Sequence, residues 1–147
     1  MLGATLAGIA FSNASVALVH GMSRPVGAHF HVPHGLSNAM LLPAVTRFSI
    51  PAATARYAEA SRRIGFAGAA DGDEAAAEKL ADGLAALNVE LAVPTPRGFG
   101  IDPAIWDAKL ELMADQALAS GSPANNPRVP DKAEILALYQ AVWSANA

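Results

Sequence analysis

The sequence of 147 residues contains no cysteine. This absence excludes disulfide bonds, thiolate metal sites and cysteine nucleophiles. It also fits a reducing compartment, and we expect a cytoplasmic protein. Charge is scarce too, because charged residues make up 16% of the chain and hydrophobic residues 52%. A domain this apolar either packs an unusually apolar core or exposes an apolar surface to a partner. The net charge of −3 gives no electrostatic reason to bind nucleic acid, and we expect no nucleic-acid partner.

Acidic residues are absent from the first part of the chain, where the first carboxylate is Glu59. All four histidines and three arginines lie in this acid-free segment: His20, His29, His31, His34, Arg24, Arg47 and Arg56. We therefore predict that the first part of the chain contains the functional residues and that the remainder is scaffold.

Residues 1–19 contain no charged side chain. A segment of this length and charge is long enough to be a membrane-spanning helix. However, glycine, serine and asparagine residues interrupt the apolar run, and no basic segment precedes it as in a signal peptide. We predict a buried helix over residues 2–20, and no membrane partner.

The spacing of apolar residues is helical along nearly the whole chain. After the first helix we predict a loop from Gly21 to Pro33, because it contains three helix-breaking residues. Further helices are predicted over residues 34–48, 51–64, 74–88, 103–119 and from 132 onward. Asp102 and Asp131 are placed as N-caps of the last two helices.

No strand pattern is found apart from a short alternation over residues 28–32. The sequence also has no glycine-rich phosphate loop and no Rossmann fingerprint. The predicted fold is therefore an all-α helical bundle that forms a single domain over residues 1–147.

His20 and His34 are fourteen residues apart. On one continuous helix they would be about 21 Å apart, so the chain must fold back if both imidazoles are to bind one ion. Imidazole suits zinc, iron, copper and nickel. A second candidate group consists of His29, His31 and His34, if residues 29–31 are extended. Spacing alone leaves three possibilities open: either group binds a metal, or the histidines only satisfy hydrogen bonds in a crowded turn.

Several motifs in this region resemble the signature of the iron-containing alcohol dehydrogenase family, which includes maleylacetate reductases and glycerol dehydrogenase-like enzymes. The motifs are Phe11-Ser12-Asn13, Val19-His20-Gly21-Met22, Pro25-Val26-Gly27-Ala28 and Pro33-His34-Gly35-Leu36-Ser37-Asn38-Ala39-Met40-Leu41-Leu42-Pro43. A further similarity is Asn126-Pro127-Arg128, which precedes the final helix. The resemblance implies the C-terminal helical, metal-binding domain of such an enzyme, without its N-terminal nucleotide-binding domain.

The resemblance also implies roles for particular residues. His20 and His34 match two ligands of a catalytic divalent metal, for which Fe²⁺ is expected and Zn²⁺ is an alternative. An aspartate and a further histidine, from a helix upstream of these residues, complete the ligand set in the family. NAD or NADP binds mainly to the N-terminal domain. Phe11 and Ser122 match positions that line the pocket for a small alcohol, aldehyde or keto substrate.

Arg24 departs from the commonest family pattern, in which a further histidine lies near the cofactor and the substrate. Its forked donor suits a carboxylate or a phosphate, which indicates an altered cofactor contact or an acidic substrate. A surface or structural arginine is the alternative. His29 and His31 match no ligand position in the family, and we predict structural roles for them.

Two functions of different classes follow. In the first, the chain is the metal-binding part of an NAD(P)-linked alcohol dehydrogenase or reductase and is inactive in isolation. In the second, it is a non-catalytic helical module or truncated fragment that associates with itself or with another chain and retains a vestigial metal site. A homo-oligomer and the missing N-terminal half are therefore the expected protein partners.

Overall fold

The computed structural model describes residues 1–145 and contains only helices and loops in that range. The elements, in chain order, are α1 (Leu2–Ala14), α2 (Leu18–Phe30), α3 (His34–Ile64), α4 (Asp73–Glu90), α5 (Pro103–Ala119), a short 3-10 helix (Ser122–Asn125) and α6 (Lys132–Ser144). The prediction of an all-α fold is confirmed.

The first predicted helix is shorter than expected, and it is not buried. α1 ends at Ala14, and Ser15 adopts a left-handed conformation with φ 64° that separates α1 from α2. Not one residue of α1 is buried. The prediction of a buried helix over residues 2–20 is therefore wrong. An apolar composition identified the helix, but it did not distinguish a core helix from one whose apolar side chains are exposed.

The predicted loop between Gly21 and Pro33 is also wrong, because most of it forms α2. Pro25 lies inside this helix and removes one backbone donor, which normally disfavours a helix. Leu18, Met22 and Val26 follow one another at four-residue spacing and are almost completely buried. Their burial in the core offsets the unfavourable proline. The short alternation over residues 28–32 forms no strand.

α3 combines two predicted helices into one long element. Pro43 and Pro51 both lie inside it, and the helical geometry is interrupted at Ala53, with φ −150° and ψ 37°. The break thus occurs two residues after Pro51 rather than at that residue. α3 ends at Gly65, whose φ of 86° is a conformation that favours glycine.

The two predicted N-caps are confirmed. Asp102 accepts a hydrogen bond of 3.0 Å from the backbone N–H of Ile105 at the start of α5. Asp131 and Glu134 form a reciprocal capping box at the start of α6, with bonds of 2.8 Å and 3.0 Å. Each cap satisfies backbone donors that the helix leaves free, and such a cap typically stabilises a helix by about 1 kcal/mol.

The main core lies between α2, α3, α5 and α6. Its largest completely buried side chains include Trp106 of α5 and Tyr139 of α6, which meet edge to face with ring centroids 5.9 Å apart. A second, alanine-rich cluster joins the end of α3 to α4. Because α2 packs one face into the main core, its opposite face is available to present functional side chains.

α1 and α2 are the helices to consider as a possible membrane-spanning segment. Within residues 1–145, no single helix is long and apolar enough to cross a membrane. α1 and α2 reach that length and apolarity only when they are taken together, and they are bent by 99° relative to each other.

Candidate functional site

The two histidines of the family motif lie next to each other. The ring centroids of His20 and His34 are 5.2 Å apart, and the ring planes are inclined by 53°. His20 belongs to the first turn of α2, and His34 is the first residue of α3. Each ring therefore projects from the start of a helix. The prediction that the fold brings these two rings together is confirmed.

Contact between α2 and α3 produces this arrangement. One turn after each histidine lies a completely buried serine, Ser23 in α2 and Ser37 in α3. The hydroxyl of Ser37 lies 3.5 Å from the carbonyl oxygen of Ser23 and 3.0 Å from that of His34. The first turns of the two helices thus lie against each other. Small side chains at the contact allow the close approach that places the two imidazoles together.

The start of α2 is also held closely from the other side. A Cβ atom at Gly21 would lie only 3.0 Å from Cδ of Pro123 in the 3-10 helix. Glycine at this position therefore allows the 3-10 helix to pack directly beneath the residue that follows His20. A larger side chain would push the two elements apart and would move the histidine with them.

The electrostatics of the site favour a neutral imidazole at His20. Partial burial lowers the pKa of His20 below its usual value, and the nearby positive charges of His34 and Arg24 lower it further. The neutral imidazole is the form that binds a metal ion. Protons therefore compete less strongly for His20 than for a solvated histidine.

Asn38 contacts the other member of the pair. Its side-chain Nδ2 lies 3.1 Å from Nε2 of His34 and can donate to that ring nitrogen when the imidazole proton is on Nδ1. With the amide rotated by 180°, Oδ1 would instead accept from Nε2–H, and Nδ1 would keep a free lone pair for a metal. The Oδ1 atom of Asn38 is buried and has no partner among the described residues. Asn38 thus positions the His34 ring and leaves one buried acceptor unsatisfied. Its position four residues after His34 in a predicted helix could have identified it from the sequence.

The spacing of the two rings fits coordination of one ion. Two imidazoles bound to a tetrahedral ion through bonds of about 2.1 Å would have ring centroids about 5 Å apart, close to the 5.2 Å observed. Within residues 1–145, however, no third histidine or carboxylate joins the pair to form a larger metal-binding group. The residues present therefore fit two ligand positions of a divalent metal and leave the others to be supplied.

The alternative histidine group is not brought together. His29 donates from Nε2 to Oε1 of Gln116 in α5, with a distance of 2.9 Å. His31 forms the C-cap of α2 in a left-handed conformation with φ 55°. These contacts agree with the structural roles predicted for both residues. Nothing in the sequence indicated Gln116, because it lies 87 residues away from His29.

The two predicted pocket residues have different environments. Ser122 is only 5% exposed, and its backbone N–H donates to the hydroxyl of Ser120. Phe11 is 56% exposed on α1, which makes no extensive contact with any other described element. The described residues therefore do not form a closed pocket from this pair, and the role of each stays a prediction.

Arg24 follows His20 by one helical turn and borders a cleft of about 200 Å³. The cleft is lined by Arg24, Pro25, Ala28, Gln116 and Ser120. Its polar side chains come from α2 and from the end of α5. Arg24 is exposed and forms no ion pair with another residue in the described part of the chain.

A larger cleft of about 730 Å³ lies between α3, α4 and α6. Its lining is mainly apolar and includes neither histidine of the pair. The one charged residue in the lining, Arg47, is already paired with Glu78 and Asp82. This cleft therefore has no free charged group to contribute to the chemistry of the histidine site.

Comparisons with known proteins identify the family of the chain. Residues 1–143 match the model of the "Fe-containing alcohol dehydrogenase family, C-terminal". The NADPH-dependent butanol dehydrogenase of Clostridium saccharobutylicum is 33% identical over 139 residues, which cover 94% of this chain and 35% of that protein. The lactaldehyde reductase of Escherichia coli K12 is 32% identical over 142 residues, which cover 97% of this chain and 36% of that protein.

Solved structures give the same result. A 1,3-propanediol oxidoreductase superposes with a TM-score of 0.86 at 31% identity, over 93% of this chain and 35% of that one. The iron-containing alcohol dehydrogenase of Thermococcus thioreducens superposes with a TM-score of 0.83 at 35% identity, over 97% and 36% of the two chains. The present chain spans about a third of the length of these relatives. It belongs to the iron-containing alcohol dehydrogenase family and corresponds to its C-terminal helical region.

Proposed function

We propose that this chain is the metal-binding part of a cytoplasmic NAD(P)-linked alcohol dehydrogenase or carbonyl reductase. In this proposal His20 and His34 are two ligands of a divalent metal, Fe²⁺ by family and Zn²⁺ as the alternative. The remaining metal ligands and the nucleotide-binding domain come from polypeptide outside the present sequence. The chain alone is then inactive.

The observation on which this proposal depends is the 5.2 Å separation of the two imidazole rings. When bound, the metal would polarise the oxygen of a carbonyl or alcohol, and a nicotinamide would exchange hydride with the attached carbon. The chain itself has three tasks. His20 remains neutral to bind, because its pKa is lowered by burial and by positive neighbours. Asn38 contacts Nε2 of His34 and would orient that ring when its amide oxygen accepts from Nε2–H, which leaves Nδ1 free to bind the metal. The buried serines of α2 and α3 hold the two helices together.

Three further residues complete the proposal. Phe11 and Ser122 contribute to the substrate pocket, where Phe11 offers an exposed apolar ring that the missing polypeptide can cover. Arg24 provides a positive charge one turn from His20 for an anionic part of the bound cofactor or substrate. The substrate is a small alcohol, aldehyde or keto compound.

Calorimetric titration with divalent metals tests the ligand assignment. We expect weak binding, because only two imidazoles are present, and Zn²⁺ or Ni²⁺ should bind more tightly than Fe²⁺. Replacing His20 or His34 by alanine should abolish binding. The matched controls His29→Ala and His31→Ala should leave it nearly unchanged. If instead the two control variants lose binding while His20→Ala retains it, the assignment is wrong.

A second candidate function is a non-catalytic association module, and the exposed α1 favours it. Leu2, Leu6, Ile9 and Phe11 are each more than half exposed on this helix. Such a surface suits contact with another copy or another chain. Sedimentation velocity of the wild type and of Leu6→Asp would distinguish the two functions. Self-association that depends on Leu6, combined with no metal binding, would support the module.

A further inference from the structure

We propose that the cleft between α2 and α5 binds a carboxylate through Arg24, so that the substrate class is a short oxo acid or the corresponding hydroxy acid. This inference rests on the proposed function, because it requires the reacting carbonyl to lie at the His20–His34 pair. It goes beyond that proposal by assigning a charge to the substrate.

The first argument is that Arg24 has no partner. Four other arginines do have carboxylate partners, namely Arg47, Arg62, Arg63 and Arg128. Arg24 forms neither an ion pair nor a side-chain hydrogen bond with the residues that the structure describes. It also lies in the acid-free segment before Glu59, so no neighbour along the chain can neutralise it. Its guanidinium is therefore available to a ligand.

The second argument is that the cleft offers another donor. Because the Oε1 atom of Gln116 can only accept, His29 must donate to it from Nε2. In this arrangement the NH₂ group of Gln116 has no partner among the described residues and is a free donor. Arg24 and Gln116 thus provide N–H groups from two helices around a space of about 200 Å³. No carboxylate lines this cleft. Such a group of donors suits a carboxylate oxygen pair.

The third argument is the distance to the histidine pair. Residues four apart on a helix have Cβ atoms about 5–6 Å apart, so Arg24 lies about one turn from His20. Neither histidine lines the cleft itself, but the long Arg24 side chain can reach the carboxylate of a short oxo acid whose carbonyl oxygen lies at the pair. In the reduction, the carbonyl carbon would gain a hydride from a reduced nicotinamide, which would become oxidised, and the oxygen would gain a proton from water, while the carboxylate is unchanged. A neutral alcohol of the same size would leave Arg24 without a partner.

The test compares an acid with its uncharged analogue. ¹⁵N-labelled protein is titrated with 4-oxobutanoate and with 4-oxobutanamide, with and without Zn²⁺, and shifts of the Ala28 and Ser120 amide signals are followed. The acid should bind about tenfold or more tightly than the amide, because a bond to a charged group replaces a neutral contact. Arg24→Gln should remove this preference, Arg24→Lys should retain part of it, and Arg97→Gln, a change at another exposed arginine, should not affect it.

Two results would overturn the inference. The first is equal affinity for acid and amide in the wild type, and the second is a preference that survives Arg24→Gln. In the second case, weaker binding of NADP⁺ with unchanged binding of NAD⁺ by Arg24→Gln would show that Arg24 contacts the cofactor phosphate instead. The Zn²⁺ titration separates this proposal from the preceding one. Failure of the wild type to bind Zn²⁺ counts against the metal site, whereas Zn²⁺ binding without acid preference counts only against the carboxylate site.

Discussion

Tyr139 donates its phenolic proton to the backbone carbonyl oxygen of Met22 across 2.7 Å. The bond joins α6 to α2 two residues after His20, inside the main core. The last helix of the chain therefore helps to fix the backbone that positions the first histidine.

Loss of the Tyr139 hydroxyl should lower the free energy of unfolding and should weaken its dependence on pH in alkaline solution. Tyr139→Phe should lower the free energy of unfolding by about 1 kcal/mol at neutral pH, because the carbonyl of Met22 loses a partner. Burial raises the pKa of Tyr139 above its usual value of 10.0, so the folded protein keeps the phenol protonated when the unfolded chain ionises. The stability that depends on this proton is present below pH 10 and is lost at higher pH, by about 1.4 kcal/mol per pH unit.

Urea unfolding at neutral pH and above pH 10 measures both effects. The wild type should lose stability over this range more steeply than Tyr139→Phe does. Tyr57→Phe is the matched control, because Tyr57 is only partly buried and lies in the second cluster. The prediction would be contradicted if the free energy of unfolding fell equally steeply with pH above pH 10 in the wild type and in Tyr139→Phe.

A carboxylate in place of Asn38 should strengthen metal binding. The side chain at this position lies 3.1 Å from Nε2 of His34, so Asn38→Asp would add either a third ligand or a carboxylate that supports the imidazole. Carboxylates in such positions commonly change metal affinity by about tenfold or more. Calorimetry with Zn²⁺ should show the increase, and Asn38→Leu should not. An unchanged affinity for Asn38→Asp would indicate that the metal binds away from His34.

The 147-residue chain should show no alcohol oxidation with NAD⁺ or NADP⁺. Its sequence contains no glycine-rich dinucleotide loop, and the part that the structure describes contains no parallel sheet to present one. The assay is formation of the reduced nicotinamide by purified protein supplied with Zn²⁺ or Fe²⁺. A His20→Ala preparation made in parallel reveals any contaminating host dehydrogenase. Turnover that disappears in this variant would contradict the prediction.

Two glycine substitutions should have opposite effects. Gly21→Ala should destabilise the protein by about 1–2 kcal/mol, because the added Cβ would press on Pro123. Gly35→Ala lies in the first turn of α3, where the added Cβ would meet no atom within 4 Å. It should stabilise the protein by about 0.5 kcal/mol, because alanine favours helix. Thermal unfolding compares the two variants, and equal effects would show that the contact with Pro123 is not restrictive.

Local signals in the sequence predicted much of the fold. Asp102 and Asp131 each precede a run of helix-forming residues, and their caps depend only on neighbours within one turn. Sequence spacing alone could not predict that the rings of His20 and His34 lie close together, because their approach depends on contact between α2 and α3. The family resemblance supplied that pairing in advance, whereas no local rule relates the first turns of two separate helices.

The predictions that were wrong or incomplete concern features that depend on contacts between distant parts of the chain. Pro25 and Gly27 indicate a loop by local preference, but burial of the core-facing side of α2, which includes Pro25 itself, favours helix. The contact between His29 and Gln116 joins residues from distant parts of the chain, so it could not be found without the fold. α1 was identified as a helix, but its environment depends on surfaces that composition does not describe.

The exposure of α1 has a consequence for how the protein behaves in solution. A helix of 13 residues that buries none of its side chains has little tertiary packing to hold it, and helices of this length are marginal on their own. Its amide hydrogens should therefore exchange with solvent deuterium much faster than those of α2, which is anchored in the core. The boundary between fast and slow exchange should fall near Ser15, so that both histidines lie on the protected side.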